Sequence, residues 1–298
     1  MTILVTGVNG QLGYDVMLKL IRRGHRAVGS GSTVHYQGRN QLNMAEYCQM
    51  DITDSESVNR VIGGLRPDAV IHCSAWTAVD AAEESANRKR VMALNVLGPR
   101  NIAEACREMD IKMIYISTDY VFDGEGSEPW RPEETCCRPL NVYGLSKLNG
   151  EREVAGTLKK YFIVRSSWMF GTNGKNFVKT MLKTAQTHDE VRVVSDQIGS
   201  PTYTVDLARL LSDMIETDKY GYYHATNEGF TSWYEFCREI YRQYGLKTKV
   251  LPVTTEEYVN TTAKRPLNSR LDKSKLDETG FLRLPSWQDA VSRFLKEY

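Results

Sequence analysis

No run of 18 or more apolar residues occurs in this chain of 298 residues, so no segment is suited to cross a bilayer as a helix. An excess of one charge is also missing. The 38 Lys and Arg residues face 37 Asp and Glu residues, a formal net charge of +1. Such a balance gives no general field for nucleic acid or an anionic membrane surface. Histidine is scarce, at 5 residues, and none stands at metal-ligand spacing from a cysteine. The cysteines (48, 73, 106, 136, 137 and 237) form neither CxxC nor CxxxxC. The vicinal pair Cys136-Cys137 invites a redox role, but reduced loop thiols are the simpler reading. Scattered thiols in a large chain predict a cytoplasmic protein. The first residues, Met1 to Val5, have no basic n-region and read as a β-strand rather than a signal peptide. What is present is ordinary soluble composition, 41% hydrophobic and 25% charged. The length allows one large domain or two lobes with a real core.

Strand and helix patterns alternate through the first half. Short apolar strands are expected at Ile3-Val5, Arg26-Gly29, Ala69-Cys73, Lys112-Ser117 and Tyr161-Arg165, with one more ending at Met50-Asp51. Helical patterns fall at Gln11-Arg23, Asp54-Leu65, Arg88-Met109 and Tyr143-Leu158. Residues 30–48 are polar and aperiodic and read as a loop with at most a short helix. This order predicts an α/β fold with a parallel sheet covered on both faces. After Trp168 the alternation loosens, with helices expected at Asn176-Gln186, Val205-Glu216, Ser232-Tyr244 and Ser286-Tyr298, and strands at Val191-Val194, Tyr222-Ala225 and Lys249-Val253. A smaller C-terminal substrate lobe is therefore expected. The division is residues 1–170, with 200–226, for the sheet domain, and 171–199 with 227–298 for the lobe.

Gly7-Val-Asn9-Gly10-Gln11-Leu12-Gly13 follows the first strand and opens the first helix. One glycine permits a tight turn, another lets backbone approach a pyrophosphate, and the third packs helix on strand. The phosphates then face the helix amino terminus. This predicts a Rossmann-like, doubly wound dinucleotide site, an ordinary glycine-rich turn being the alternative. The second strand ends in Gly29-Ser30-Gly31-Ser32, without the acid that holds a ribose 2′-hydroxyl in NAD enzymes. A 2′-phosphate is tolerable there, and Arg39 is placed to reach it. NADPH is favoured, with NADH open. Asp51 and Ile52 are placed to meet an adenine, or Asp51 serves as a turn acid. Ser74 and Ala75 end the fourth strand at the same sheet edge.

Tyr143-Gly-Leu-Ser-Lys147 opens a helix, and positions i and i+4 share one face. A nearby cation lowers a phenol from its ordinary value near 10. Tyr143 would then exchange a proton with a carbonyl or alcohol oxygen. A core edge with a solvated lysine is the alternative. Ser117-Thr118-Asp119-Tyr120 follows the fifth strand, so the Thr118 hydroxyl sits at the carboxyl edge too.

Strand-end Thr118, Tyr143 and Lys147, in that order, resemble the catalytic triad of the short-chain dehydrogenase/reductase superfamily. Thr118 is followed by Asp119-Tyr120, so the Asp-Glu pair of the sugar dehydratases is absent. The segments TGVNGQLG, AWTAVDAAE, STDYVFDG, NVYGLSKLNGE, RSSWMFG, DQIGSPTYTVDLA and RPLNS look like the dTDP-4-dehydrorhamnose reductase family, over residues 2–269. The resemblance implies hydride delivery from NAD(P)H to a C4 keto sugar, with Tyr143 as proton donor and Lys147 tuning it and holding the nicotinamide ribose. It also implies cofactor contacts at Gly7, Asn9, Gly10, Gln11, Leu12, Gly13, Asp51, Ile52, Ser74, Ala75, Tyr143 and Lys147. Substrate contacts are implied at Val79, Thr118, Asp119, Tyr120 and Trp168. Arg265 and Asn268 are placed to hold a nucleotide diphosphate, a surface salt bridge being the alternative. Trp168 offers an aromatic platform for a deoxysugar, or is plain core. Mg²⁺ at a homodimer contact is known for some members; Asp15, Asp189 and Glu190 are candidates, without a defined site. The alternatives are another nucleotide-sugar reductase or epimerase, and a non-catalytic subunit like the β subunit of methionine adenosyltransferase.

Overall fold

The computed structural model describes residues 1–38, 45–134, 136–258 and 261–298. The chain opens with β1 (Thr2–Thr6), α1 (Gln11–Arg22), β2 (Arg26–Gly31), β3 (Glu46–Gln49), α2 (Ser55–Leu65) and β4 (Ala69–His72). Next come α3 (Arg88–Met92), one π-helical turn (Ala93–Leu97), α4 (Gly98–Glu108), β5 (Lys112–Thr118), α5 (Val142–Thr157) and β6 (Tyr161–Ser166). The remainder contains β7 (Met169–Phe170), α6 (Phe177–Thr184), β8 (Glu190–Val194), β9 (Ile198–Gly199), β10 (Thr202–Tyr203), α7 (Thr204–Ile215) and β11 (Gly221–His224). It ends with β12 (Thr231–Ser232), α8 (Trp233–Tyr244), β13 (Lys249–Val253), α9 (Ser274–Glu278) and α10 (Trp287–Glu297).

Seven strands form one sheet in the order β11-β6-β5-β4-β1-β2-β3, and every pairing in it is parallel. Successive side chains of a strand point to opposite faces. Ile3 and Val5 enter one core with α1 and α7, while Leu4 enters the other with α2 and α4. Burial on both faces is why these strands read as continuous apolar runs. The order of strands across the sheet reverses between β1 and β4, and ligands collect at the carboxyl ends of strands flanking such a switch.

Local chemistry fixes the helix starts. Asp54 caps α2 by accepting from the Glu56 amide at 3.0 Å, and Asn141 caps α5 by accepting from the Gly144 amide at 2.8 Å. Ser232 does the same for α8 through the Glu235 amide, which α8 then leaves through left-handed Gly245. Two expectations need correction. Glu46 to Cys48, assigned to the 30–48 loop, form with Gln49 an edge strand paired with β2, so the third strand stops short of Met50-Asp51, where it was expected to end. Arg88–Met109 is not one regular helix, because a π turn interrupts it. That bulge lets Asn95 point inward, where it bonds the Trp76 backbone and the Ser146 hydroxyl.

A second core, with Phe170, Tyr203, Phe236, Trp287 and Phe294, lies under α6, α8 and α10. Small pairings, β8 with β13, β7 with β10 and β9 with β12, frame it. No helix among the described residues is long and apolar enough to cross a membrane.

Candidate active site

The glycine turn carries three different constraints. Gly7 has φ of +70°, and a Cβ there would stand 2.7 Å from the Ser74 amide nitrogen. At Gly13 a Cβ would stand 2.4 Å from the Gly7 carbonyl oxygen, which is why the helix can lie against the strand turn. Gly10 is the exposed N-cap of α1, with no side chain on the first amides and no acid in the first turn. Those free amides and the helix dipole favour an anion. The donor set and the close backbone approach therefore fit a dinucleotide pyrophosphate.

Around this cradle the side chains are largely engaged within the protein. Asn9 accepts from the Gln37 amide at 3.0 Å and points its Nδ2 at Thr33. Leu12 is core, and Gln11 accepts from Asn176 at 2.9 Å. Asn173 donates to the Asn9 and Gly10 carbonyls at 3.0 and 2.9 Å, so the chain after β7 braces the turn. Sequence reasoning missed this brace, which joins positions 163 residues apart. The acid-free end of β2 is retained: Ser30 is buried and Gly31 lies under Tyr47. Arg39 lies outside the described residues. The Asp51 carboxylate closes a turn onto Thr53, and the Ile52 side chain is buried beneath Gly98, so a ligand at this point meets their backbone and rim. Ser74 and Ala75 sit half-buried beside Gly7, with the Ser74 amide bonded to Thr6.

Two strands away, Thr118 ends β5 and Tyr143 opens α5. The Thr118 hydroxyl stands close enough to the Tyr143 phenol to favour its ionised form. Thr118 also contacts Asp119 Oδ1 at 3.1 Å and accepts from the Tyr120 amide. Tyr120 packs edge-on against Tyr143, their rings 5.9 Å apart. Burial pushes the Tyr143 phenol up to about 12, opposed by the Thr118 hydroxyl. This corrects the expectation that the neighbouring ammonium lowers it. Lys147 instead lies over the Tyr115 ring, 4.1 Å from its centre, and burial pushes its ammonium down to about 7 against the pull of Glu151 and Cys73. At Lys147 desolvation outweighs charge proximity, and at Tyr143 the Asp119 charge adds to it. Asp119 is buried and its Oδ2 has no hydrogen-bond partner among the described residues, and burial raises its carboxyl to about 6 although the Thr118 hydroxyl bonds Oδ1.

The remaining predicted residues divide. Trp168 has φ of +47° and stacks on Trp233, with ring centres 3.8 Å apart. Trp233, Arg192, Gln197, Tyr258, Asp80 and Arg265 line part of a cleft of about 320 Å³. Val79 is half-buried and immediately precedes Asp80. Arg265 grips Asp80 through Nη2 at 2.6 Å, while Asp80 also accepts from the Thr262 and Ala263 amides. The guanidinium reaches the cleft wall already paired. Asn268 is buried, donates to the Glu125 and Glu128 carbonyls and accepts from Arg270. Its carboxamide joins backbone segments rather than facing the cleft. Among the described residues no group of three ligating side chains converges on a metal position. Asp15 is instead bonded to Thr204.

A parallel sheet with a glycine cradle after its first strand and a Thr-Tyr-Lys set at the same carboxyl edge defines an oxidoreductase of the short-chain dehydrogenase/reductase type. The model of the RmlD substrate binding domain matches residues 1–298, and the chain belongs to that family. It is 39% identical over 295 residues to the spore coat polysaccharide biosynthesis protein SpsK of Bacillus subtilis, covering 99% of this chain and 97% of that one. It is 34% identical to the dTDP-4-dehydrorhamnose reductase of Escherichia coli, covering 100% of this chain and 98% of that one. The dTDP-4-dehydrorhamnose reductase of Bacillus anthracis, solved in complex with NADP, superposes with a TM-score of 0.91 at 39% identity, covering 100% of this chain and 99% of that one.

Proposed function

We propose that this chain reduces the C4 keto group of dTDP-4-dehydro-L-rhamnose to dTDP-L-rhamnose, with NADPH as the preferred cofactor. The observation that carries the reading is the placement of Thr118, ending β5, and Tyr143, opening α5, at the sheet edge that also bears the glycine cradle. The relatives' reductase names and the NADP in the Bacillus anthracis enzyme support it. Gly7, Gly10, Gly13 and the first amides of α1 would hold the pyrophosphate, and Lys147 the nicotinamide ribose. The bound reduced nicotinamide supplies the hydride.

The chain's own part is to hold the ketone and deliver the proton. A phenol raised to about 12 is protonated throughout the neutral range, so Tyr143 is poised as an acid. Thr118 shares the same oxygen and keeps it oriented. The Trp233 ring, backed by stacked Trp168, suits the apolar face of a deoxysugar, and Arg192 in the same cleft as the Arg265–Asp80 pair suits the charged nucleotide. Residues 1–170 with 200–226 serve the cofactor, and 171–199 with 227–298 the sugar nucleotide. A β2 that ends in Ser30 and Gly31, without an acid, favours the 2′-phosphate.

The test is oxidation of NADPH and NADH followed at 340 nm with the dTDP-4-keto-6-deoxyhexose generated in situ by an epimerase. Substrate-dependent oxidation with dTDP-L-rhamnose as product supports the proposal, and faster turnover with NADPH supports the cofactor preference. Tight NADPH binding with no turnover of this sugar would overturn the substrate assignment.

A further inference from the structure

The loop that leaves β7 crosses to the glycine turn and is tied to it at two adjacent residues. Asn173 uses both protons of its Nδ2 there, on the Asn9 carbonyl at 3.0 Å and the Gly10 carbonyl at 2.9 Å. Asn176, which caps α6 by accepting from the Lys179 amide at 3.1 Å, donates to Gln11 Oε1 at 2.9 Å. The loop also holds its own shape. Lys179 donates from Nζ to the Thr172 and Gly174 carbonyls at 2.6 and 2.9 Å, and Asn173 between them is buried. Helix α1 has no need of the Asn173 bond, since the Gly10 carbonyl already receives the Tyr14 amide at 3.3 Å. A second donor on that oxygen, brought from 163 residues away, has another use.

We propose that Asn173 is a positioning residue for the dinucleotide pyrophosphate: by holding the Gly10 carbonyl it aims the Gln11 N–H at the anion. The inference rests on the reading of the glycine turn as a dinucleotide cradle. In a planar trans peptide the carbonyl and the N–H point in opposite directions. Clamping the Gly10 oxygen toward the loop therefore turns the Gln11 N–H away from it. The Gly10 amide is already engaged by the Gly7 carbonyl at 2.9 Å. Gln11 thus supplies the first free amide of α1, whose N-cap brings no side chain to it. The same two bonds remove an obstacle. A carbonyl oxygen facing a phosphate repels it, and Asn173 keeps the Asn9 and Gly10 oxygens turned to the protein. This side chain comes from the part of the chain assigned to the sugar nucleotide. The cofactor seat is therefore complete only when that part is packed against the sheet.

Asn173→Leu keeps the volume, removes both donors and adds no charge near the phosphates. Asn173→Ala removes the same donors without bulk, and both should behave alike. Two probes separate aim from general damage. NADPH carries the pyrophosphate, whereas adenosine 2′-monophosphate carries the adenine, ribose and 2′-phosphate without it. In titration calorimetry the variants should bind NADPH roughly tenfold more weakly, the scale of one hydrogen bond to a charged group. Adenosine 2′-monophosphate should bind them as it binds the wild type. In turnover, KM for NADPH should rise by the same factor with kcat little changed. Folded variants with wild-type NADPH affinity would overturn the proposal. Equal weakening of both probes would overturn it too, and mark a merely structural tie. Wild-type protein that binds neither NADPH nor NADH would overturn the dinucleotide reading and the proposal with it. The expected binding pattern in a protein inactive on the sugar would overturn the substrate reading alone and uphold this inference.

Discussion

Tyr143 and Asp119 show how burial sets the chemistry of individual side chains. Tyr143→Phe keeps the ring and removes the phenolic proton beside Thr118. Turnover should fall by about 10²–10⁴-fold, with NADPH affinity by fluorescence titration nearly unchanged. Asp119 carries a folded value of about 6 against an ordinary 3.8. A raised carboxyl binds more protons folded than unfolded, so its favourable contribution is complete below 3.8 and is lost as the pH rises through 6. The loss amounts to about 3 kcal/mol at 1.36 kcal/mol per unit. Asp119→Asn should therefore melt higher than the wild type at pH 7 by several degrees more than it does at pH 4, as read by thermal denaturation. The positions of Thr118, Tyr143 and Lys147 could be read from the sequence because each sits near a predictable strand or helix end. The phenol's upward shift could not, since it depends on how completely distant segments cover it. Arg265 was equally opaque: its partner Asp80 is 185 positions away.

Among the elements, the turn between β1 and α1 is the most tightly specified. Its glycines were legible because their spacing maps onto a strand–turn–helix geometry that few residues permit. Gly13→Ala would push a methyl to 2.4 Å from the Gly7 carbonyl. Overpacking of this kind costs about 1–3 kcal/mol, and here it also displaces the turn. NADPH binding should be lost in a titration while circular dichroism still reports a folded protein. Edge strand β3 was illegible for the opposite reason. Its four residues, Glu-Tyr-Cys-Gln, are mostly half-buried or exposed, so no apolar run marks them, and only pairing with β2 makes them a strand. The π turn also escaped periodicity, because a single extra residue shifts the helical phase without changing composition.

Across the whole molecule, the sheet and the smaller core are joined by polar ties as well as by packing. Arg293 of α10 holds Asp206 of α7 through two nitrogens at 2.8 and 2.7 Å, and Asn173 spans from the chain after β7 to the glycine turn. Phe294, fully buried and packed on Phe170 and Tyr203, sits at the centre of the smaller core. Phe294→Ala should cost about 3–5 kcal/mol, and the ties predict that both cores melt together in one calorimetric transition shifted to lower temperature. The general α/β order was readable from alternation along the chain. The assembly of the second half was not, because its strands are two to five residues long and find partners far away in sequence.

The stacked indoles of Trp168 and Trp233 also have an optical consequence. Two such rings with centres 3.8 Å apart couple their strong transitions, so they act as a paired chromophore with a split dichroism band in the far ultraviolet. Trp168 is held in a left-handed backbone conformation that a non-glycine residue leaves readily when its surroundings change. A sugar nucleotide settling in the cleft beside Trp233 would alter the pair's spacing or its polarity. On the proposed function the pair would serve as an intrinsic dye for occupancy of that cleft, one that would report binding in stopped flow before any hydride has moved.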